Sequence, residues 1–121
     1  MDELVAGDLR IRVEPLAAGQ PIRLSWHGKS NDRHPGKILL PYLSQALTLA
    51  AEARTGVELR FESLEHFNSS TITALIQLIQ EGRQRGVAMA FVHDPNLKWQ
   101  KLSFDALRVF ARDGLLEIRS A

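Results

Sequence analysis

Phe67-Asn68-Ser69-Ser70-Thr71-Ile72-Thr73-Ala74-Leu75-Ile76 marks a change from strand-like to helical sequence. It lies between an apolar run of strand length, Val57 to Phe61, and a segment with helical spacing that reaches about Gln84. Ile72, Leu75, Ile76 and Ile79 recur at i, i+3, i+4 and i+7, so one helical face is predicted to be buried. Asn68, Ser69 or Ser70 supplies a side-chain oxygen for the free N–H groups of the first turn. A cap of this kind serves any strand-to-helix junction. Two details add to it. The first turn carries no Asp or Glu, although carboxylates are favoured there. Four of the five positions from Ser69 to Thr73 are hydroxyl residues, more than one cap requires. A helix mouth lined with hydroxyls and free of acid suits a phosphate.

Toward the N-terminus, Leu9, Ile11 and Val13 alternate with Arg10, Arg12 and Glu14, as in a strand with one buried face. Pro15 ends that strand, Ala17 to Gln20 read as a turn, and Ile22 to Trp26 alternate again, predicting a hairpin. Gly28 to Gly36 is polar and bounded by Gly and Pro, and reads as the longest loop. A helix follows from Lys37 or Pro41 to Arg54, with Leu39, Leu40, Leu43, Leu47 and Ala50 inward and Pro41 confined to the first turn. Gly56 is expected to end it in the left-handed conformation.

On the far side of the central helix, Arg83 and Arg85 place cations in its last turn, and Gly86 stops it. Val87 to Val92 is an unbroken apolar run, which suits a strand inside a sheet and covered on both faces. His93 to Asn96 reads as a loop. A helix is predicted over about Lys98 to Arg112, with Leu102, Ala106, Val109 and Phe110 inward, and a short strand over Leu115 to Ile118. After the opening hairpin the order is βαβαβ, with connections long enough for parallel crossovers. The predicted fold is a single α/β domain over residues 1–121, with a mainly parallel or mixed sheet of four to five strands and about three helices.

The totals narrow the function. A chain of 121 residues can bury roughly two-thirds of its unfolded surface. Fifteen basic against fourteen acidic residues leave a formal charge of +1, which gives no footprint for nucleic acid or an anionic membrane. With no cysteine, thiol catalysis, disulfides and thiolate metal sites are excluded. The N-terminus Met1-Asp2-Glu3-Leu4 is acidic, unlike a signal peptide, and no apolar run has membrane-spanning length; a cytoplasmic address is expected. No Gly-rich phosphate loop follows a strand, and the four histidines show no metal-ligand spacing, so neither a cofactor nor a metal is expected. Ser69 or Ser70 with His66 and Glu62 or Glu65 offers triad residue types. They are too close in sequence for partners that usually come from separate loops, and no enzymatic activity is expected.

Leu59-Arg60-Phe61-Glu62-Ser63-Leu64-Glu65-His66-Phe67-Asn68-Ser69-Ser70 resembles the corresponding part of a STAS domain. That family comprises bacterial anti-sigma-factor antagonists and the cytoplasmic domains of sulfate transporters. Its pattern is an apolar strand, a short loop, an apolar residue, and then Asp-Ser-Ser or Asp-Ser-Thr opening a helix. The resemblance implies a protein–protein interaction module of a partner-switching pathway. In the antagonists a hydroxyl of this motif is phosphorylated by a Ser/Thr kinase of the anti-sigma-factor type and dephosphorylated by a phosphatase. Aligning Phe67-Asn68 with the apolar-Asp pair makes Ser70 the implied phosphoacceptor and Ser69 the runner-up, with Asn68 where the family has an acid. The Asn form is also similar to a biofilm-regulator branch whose output is a diguanylate cyclase. The alternative is a STAS-like scaffold or small-molecule sensor without a phosphate switch. In an open α/β sheet the loops leaving the carboxyl ends of the strands gather on one edge. The expected partner surface is therefore Asn68, Ser69, Ser70 and Thr71, flanked by the Lys29–Gly36 loop and by His93 and Asn96 of the His93–Lys98 loop.

Overall fold

In a computed structural model that describes residues 1–14 and 17–121, seven strands form one mixed sheet and three α-helices complete the chain. The strands are β1 (Leu4–Ala6), β2 (Leu9–Val13), β3 (Ile22–Ser30), β4 (Val57–Arg60), β5 (Leu64–Phe67), β6 (Met89–His93) and β7 (Leu116–Ser120). The helices are α1 (Gly36–Ala53), α2 (Ser69–Arg85) and α3 (Lys98–Leu107), the last followed by a 3-10 turn over Arg108–Phe110. The strand order is β1-β2-β3-β4-β6-β7, and β5 pairs with β3 off that path. The β1-β2 and β2-β3 pairs are antiparallel and the others parallel, as the alternation after the hairpin requires. Pro15, expected to end β2, lies outside the described residues.

Two strands exceed the four or five expected, because β1 and β5 have only three and four residues and too little pattern to read. β5 also explains why Gly28, Lys29 and Ser30, expected in a loop, belong to a strand. β3 first pairs with β4 through Ile22–Ser25, and after a register shift at Gly28/Lys29 it pairs with β5. Gly28 makes the shift possible: its φ is 83°, and a Cβ there would stand 2.0 Å from the Asp8 carbonyl oxygen.

Alternation along the strands gives the sheet two unlike faces. Ile11, Leu24, Trp26, Leu59, Phe61 and Phe91 are wholly buried in one cluster with Leu39, Leu43 and Leu47 of α1, Leu75, Leu78 and Ile79 of α2, and Phe104 of α3. The opposite positions are polar. Glu58, 2% exposed, is the buried charge there, and it pairs with Arg23, Arg60 and Arg119, which come from β3, β4 and β7. Arg119 reaches Glu58 across β6, where the register places Ala90, a residue small enough to be passed over. Val92, in register between Arg60 and Arg119, is buried without a helix over it. The apolar β6 run is thus flanked on its second side by arginine stems.

Several helix expectations need correction. Pro41 lies in the second turn of α1, not the first, and is exposed, so the carbonyl deprived of a donor faces water. Arg54, not Gly56, takes the left-handed C-cap, at φ 54°. Gly56 is required for another reason: a Cβ would lie 2.6 Å from the Ala88 carbonyl oxygen, where β4 begins beside β6. Leu40 of α1 and Ile72 and Ile76 of α2 are half-buried, while Ala46, Ala74 and Leu78 lie deeper. The α3 expectation has the wrong phase. Leu102 is 62% and Val109 53% exposed, and Ala106 is exposed, whereas Gln100, Phe104 and Leu107 face inward. Two stripes of similar spacing compete on this segment, and the inner one contains a polar residue that periodicity discounts.

Gln100 decides that phase. Its amide nitrogen donates to the carbonyls of Phe61 (2.6 Å) and Leu64 (3.1 Å), and its oxygen accepts from the backbone N–H of Asp94 (2.8 Å). The bend between β4 and β5 thereby gains partners for backbone groups that no strand satisfies. Gln100→Leu keeps the volume and strips its bonds from the Leu64 carbonyl and the Asp94 N–H, while the Phe61 carbonyl keeps the bond from the Leu64 N–H (2.9 Å); a loss of about 1–3 kcal/mol is expected in urea unfolding.

Candidate functional site

At the junction between β5 and α2, Asn68 is extended (φ −90°, ψ 174°) and is the helix cap; Ser69 and Ser70 are the first two helical residues. The Asn68 Oδ1 accepts from the Thr71 backbone N–H (2.9 Å) and from the Thr71 hydroxyl (2.8 Å). Its Nδ2 donates to the Asp32 carbonyl (2.7 Å), and its own N–H to the Ser30 carbonyl (3.0 Å). One side chain therefore caps α2 and fastens the Asn31–Pro35 loop that leaves β3. An Asp here could accept at the cap, but ionised it has no donor for Asp32. That difference gives Asn68 a structural reason.

The hydroxyls divide sharply. Thr71, expected on the partner surface, is fully buried, and its Oγ1 lies 2.7 Å from the Ser30 Oγ, itself 3% exposed. It acts from inside, joining the end of β3 to the first turn of α2, and presents nothing to a partner. Ser69 is exposed and Ser70 half-exposed, and neither hydroxyl bonds to a described residue. With no acid in the first turn, the positive end of the α2 dipole at this mouth is uncompensated.

His93 is likewise corrected. It is the last residue of β6, 1% exposed, and stacks on Phe104 with ring centroids 5.2 Å apart. Burial pushes its pKa below the ordinary histidine value, against an opposing influence of the Arg119 backbone; Arg108 and Lys101 push the same way as burial and Asp105 opposes them. Asn96 is exposed, and its N–H is held by Asp94 Oδ1 (2.9 Å) in the loop between β6 and α3. The junction and the Asn31–Pro35 loop are thus directly bonded. The link to the Asp94–Leu97 loop is indirect, through Trp99, which stacks edge-on to Phe67 at 5.2 Å. The tie between Asn68 and Asp32 escaped sequence reading because an amide–carbonyl contact over 36 positions leaves no local pattern.

No protein-family model matches this chain, and no curated protein matches it in sequence. Solved structures do match. One, the anti-sigma factor antagonist SpoIIAA in its unphosphorylated form, aligns with a TM-score of 0.55 over 76% of this chain and 79% of that one, at 16% identity. The chain has the STAS fold. At that identity the likeness concerns the arrangement of helices and strands. Within the STAS frame of this chain, the capped junction stands at the mouth of α2, beside the carboxyl end of β3. Among the described residues no helix is long and apolar enough to cross a membrane.

Two outcomes follow from this geometry. Asn68→Ala removes a cap and a loop tether together, and should cost about 1–2 kcal/mol in thermal or urea unfolding, with Asn68→Asp intermediate. For His93 the folded pKa lies below the unfolded value, so the unfolded chain holds more protons between the two. The neutral imidazole's contribution is complete above about pH 6.5 and is lost as pH falls toward the folded pKa. His93→Phe, which keeps a ring against Phe104, should flatten the fall in melting temperature between pH 7.5 and 5.

Proposed function

We infer that this protein is a phosphorylation-controlled interaction module of the anti-sigma-factor-antagonist kind, with Ser70 as phosphoacceptor and Ser69 as the second choice. One observation carries the reading: the half-exposed, unbonded hydroxyl of Ser70 in the first turn of a helix already capped by Asn68. Because the cap is elsewhere, Ser70 is free to be modified. Thr71 is not, since its hydroxyl is buried and shared with Ser30 and Asn68. The fold likeness to an antagonist solved in its unphosphorylated form supports the same reading.

A partner Ser/Thr kinase would transfer the γ-phosphoryl group of ATP to the Ser70 Oγ, releasing ADP and the hydroxyl proton. A phosphatase would return the hydroxyl and inorganic phosphate by hydrolysis. The partner surface is built on Asn68, Ser69 and Ser70 with the Asn31–Pro35 loop, and extends toward Asn96. A phosphoserine adds roughly −1.5 to −2 charges. At the mouth of α2 that charge meets the free end of a helix dipole, so the fold tolerates it. Under a partner packed over Ser70, the same charge would be stripped of water, which is costly. The modification therefore weakens binding without unfolding the chain.

Ser70→Asp should leave stability within about 0.5 kcal/mol of the unmodified protein. It should weaken the complex with a partner captured from the native cell by about tenfold or more, roughly 1.4 kcal/mol. Ser70→Ala should keep both stability and complex and remove regulation. Mass spectrometry of the native protein should find phosphate on Ser70 or Ser69. Unmodified protein under all growth conditions, or normal partner binding by Ser70→Asp, would refute the switch and leave a scaffold or sensor.

A further inference from the structure

Ser70 lines one wall of an open groove of about 290 Å³, together with Thr73 and Gln77 of α2. The facing wall is formed by Arg33, His34 and Lys37, at the entrance to α1. The entrance to α1 stands against the second turn of α2, since a Cβ at Gly36, the first residue of α1, would be 4.0 Å from the Cβ of Ala74. Among the described residues no carboxylate lines this groove. Asp32, next in the chain, is turned to the backbone N–H of His34 (2.9 Å). The side chains of Arg33, His34 and Lys37 pair with no described residue, and Arg33 and Lys37 are exposed. Arg10, Arg23, Arg60, Arg83, Arg85, Arg108 and Arg119 each sit against a carboxylate, whereas Arg12, Lys29, Arg54, Lys98 and Arg112, like Arg33 and Lys37, pair with no described carboxylate. Two of these unmatched cations, Arg33 and Lys37, line the groove that also holds the hydroxyl assigned above as phosphoacceptor.

We propose that a phosphate on Ser70 is held by its own chain in this groove, with Arg33 and Lys37 as its counter-ions. The phosphate then fastens the Asp32–Lys37 segment to α2. The inference rests on the phosphorylation reading and adds what becomes of the phosphate once it is there. Chemistry favours the pairing: a guanidinium matches two phosphate oxygens at once, and an ammonium adds a mobile point charge. The groups facing the phosphate are cationic or titratable on the α1 side (Arg33, His34, Lys37) and uncharged on the α2 side (Thr73, Gln77). The captured state closes the junction and its neighbouring loop into one neutralised unit, so a partner that needs both finds neither free.

Phosphoserine placed at position 70 of the full chain by suppressor-tRNA incorporation makes the test independent of any kinase. Titration followed by phosphorus NMR reads the second ionisation of that phosphate, which in the free state lies near 6. It is measured in the folded protein, in the same protein unfolded by urea, and in the folded Arg33→Ala/Lys37→Ala form. A parallel set with His34→Gln separates any part that this side chain plays. The folded chain should ionise about one unit below the urea value, and the double substitution should erase at least half of the difference. A folded value equal to the urea value overturns the proposal. So does a lowered value that the double substitution leaves unchanged, since the helix mouth alone would then hold the phosphate. Failure here is distinguishable from failure of the phosphorylation reading, which is decided on the native protein by mass spectrometry.

Discussion

The ring of Phe61 is where the parts of this molecule meet. It lies 4.9 Å from Trp26 of β3, 6.4 Å from Phe67 of β5, 5.6 Å from Phe91 of β6 and 4.8 Å from Phe104 of α3, measured between ring centroids. Each such pair contributes about 0.5–1.5 kcal/mol beyond the area it buries. Their placement matters more than their sum. Phe61 occupies the bend where β4 gives way to β5, its N–H bonds to Val92 (2.8 Å), and its carbonyl is taken by Gln100. The bend is therefore pinned from both of its backbone groups and from its side chain. β5 leaves it in a fixed direction, and the start of α2 is aimed by residues well removed from the surface.

That rigidity gives the junction its character. Asn68 can hold α2 and the Asn31–Pro35 loop with one amide only because both arrive in fixed places. Thr71 and Ser30 then close the interior side with a hydroxyl pair. What remains outside is two serines on a helix mouth without acid. A buried polar set that is fully satisfied fixes geometry; an exposed set bonds to water and stays open to solvent. The junction contains both within four residues.

Much of this was legible in the sequence. The alternation of Leu9 to Val13 and Ile22 to Trp26, the helical spacing after Asn68 and the apolar run at Val87 to Val92 each carried enough period to place an element. The resemblance at Asn68-Ser69-Ser70 agreed with the fold. Where reading failed, the deciding force was non-local. β5 depends on β3 changing partner at Gly28; the phase of α3 depends on Gln100 serving carbonyls 36 and 39 positions away. Arg54 takes the left-handed cap, and Gly56 instead serves the close approach of Ala88. For the candidate site, residue type singled out the junction between β5 and α2. Only burial could separate Thr71 and His93 from the residues that face water.

The change of partner along β3 also bears on how the chain assembles. Its antiparallel pairing with β2 is local, but Ile22 meets Val57 and Gly28 meets Leu64 only after all of α1 has been spanned. Closing a loop of that size costs conformational entropy before any contact repays it. Helix α1 shortens the gap by compacting the crossover. Until then β3 presents a long edge with unpaired backbone, nine residues in all. The strand that later organises the sheet is, early in folding, the segment most exposed to pairing with a second chain.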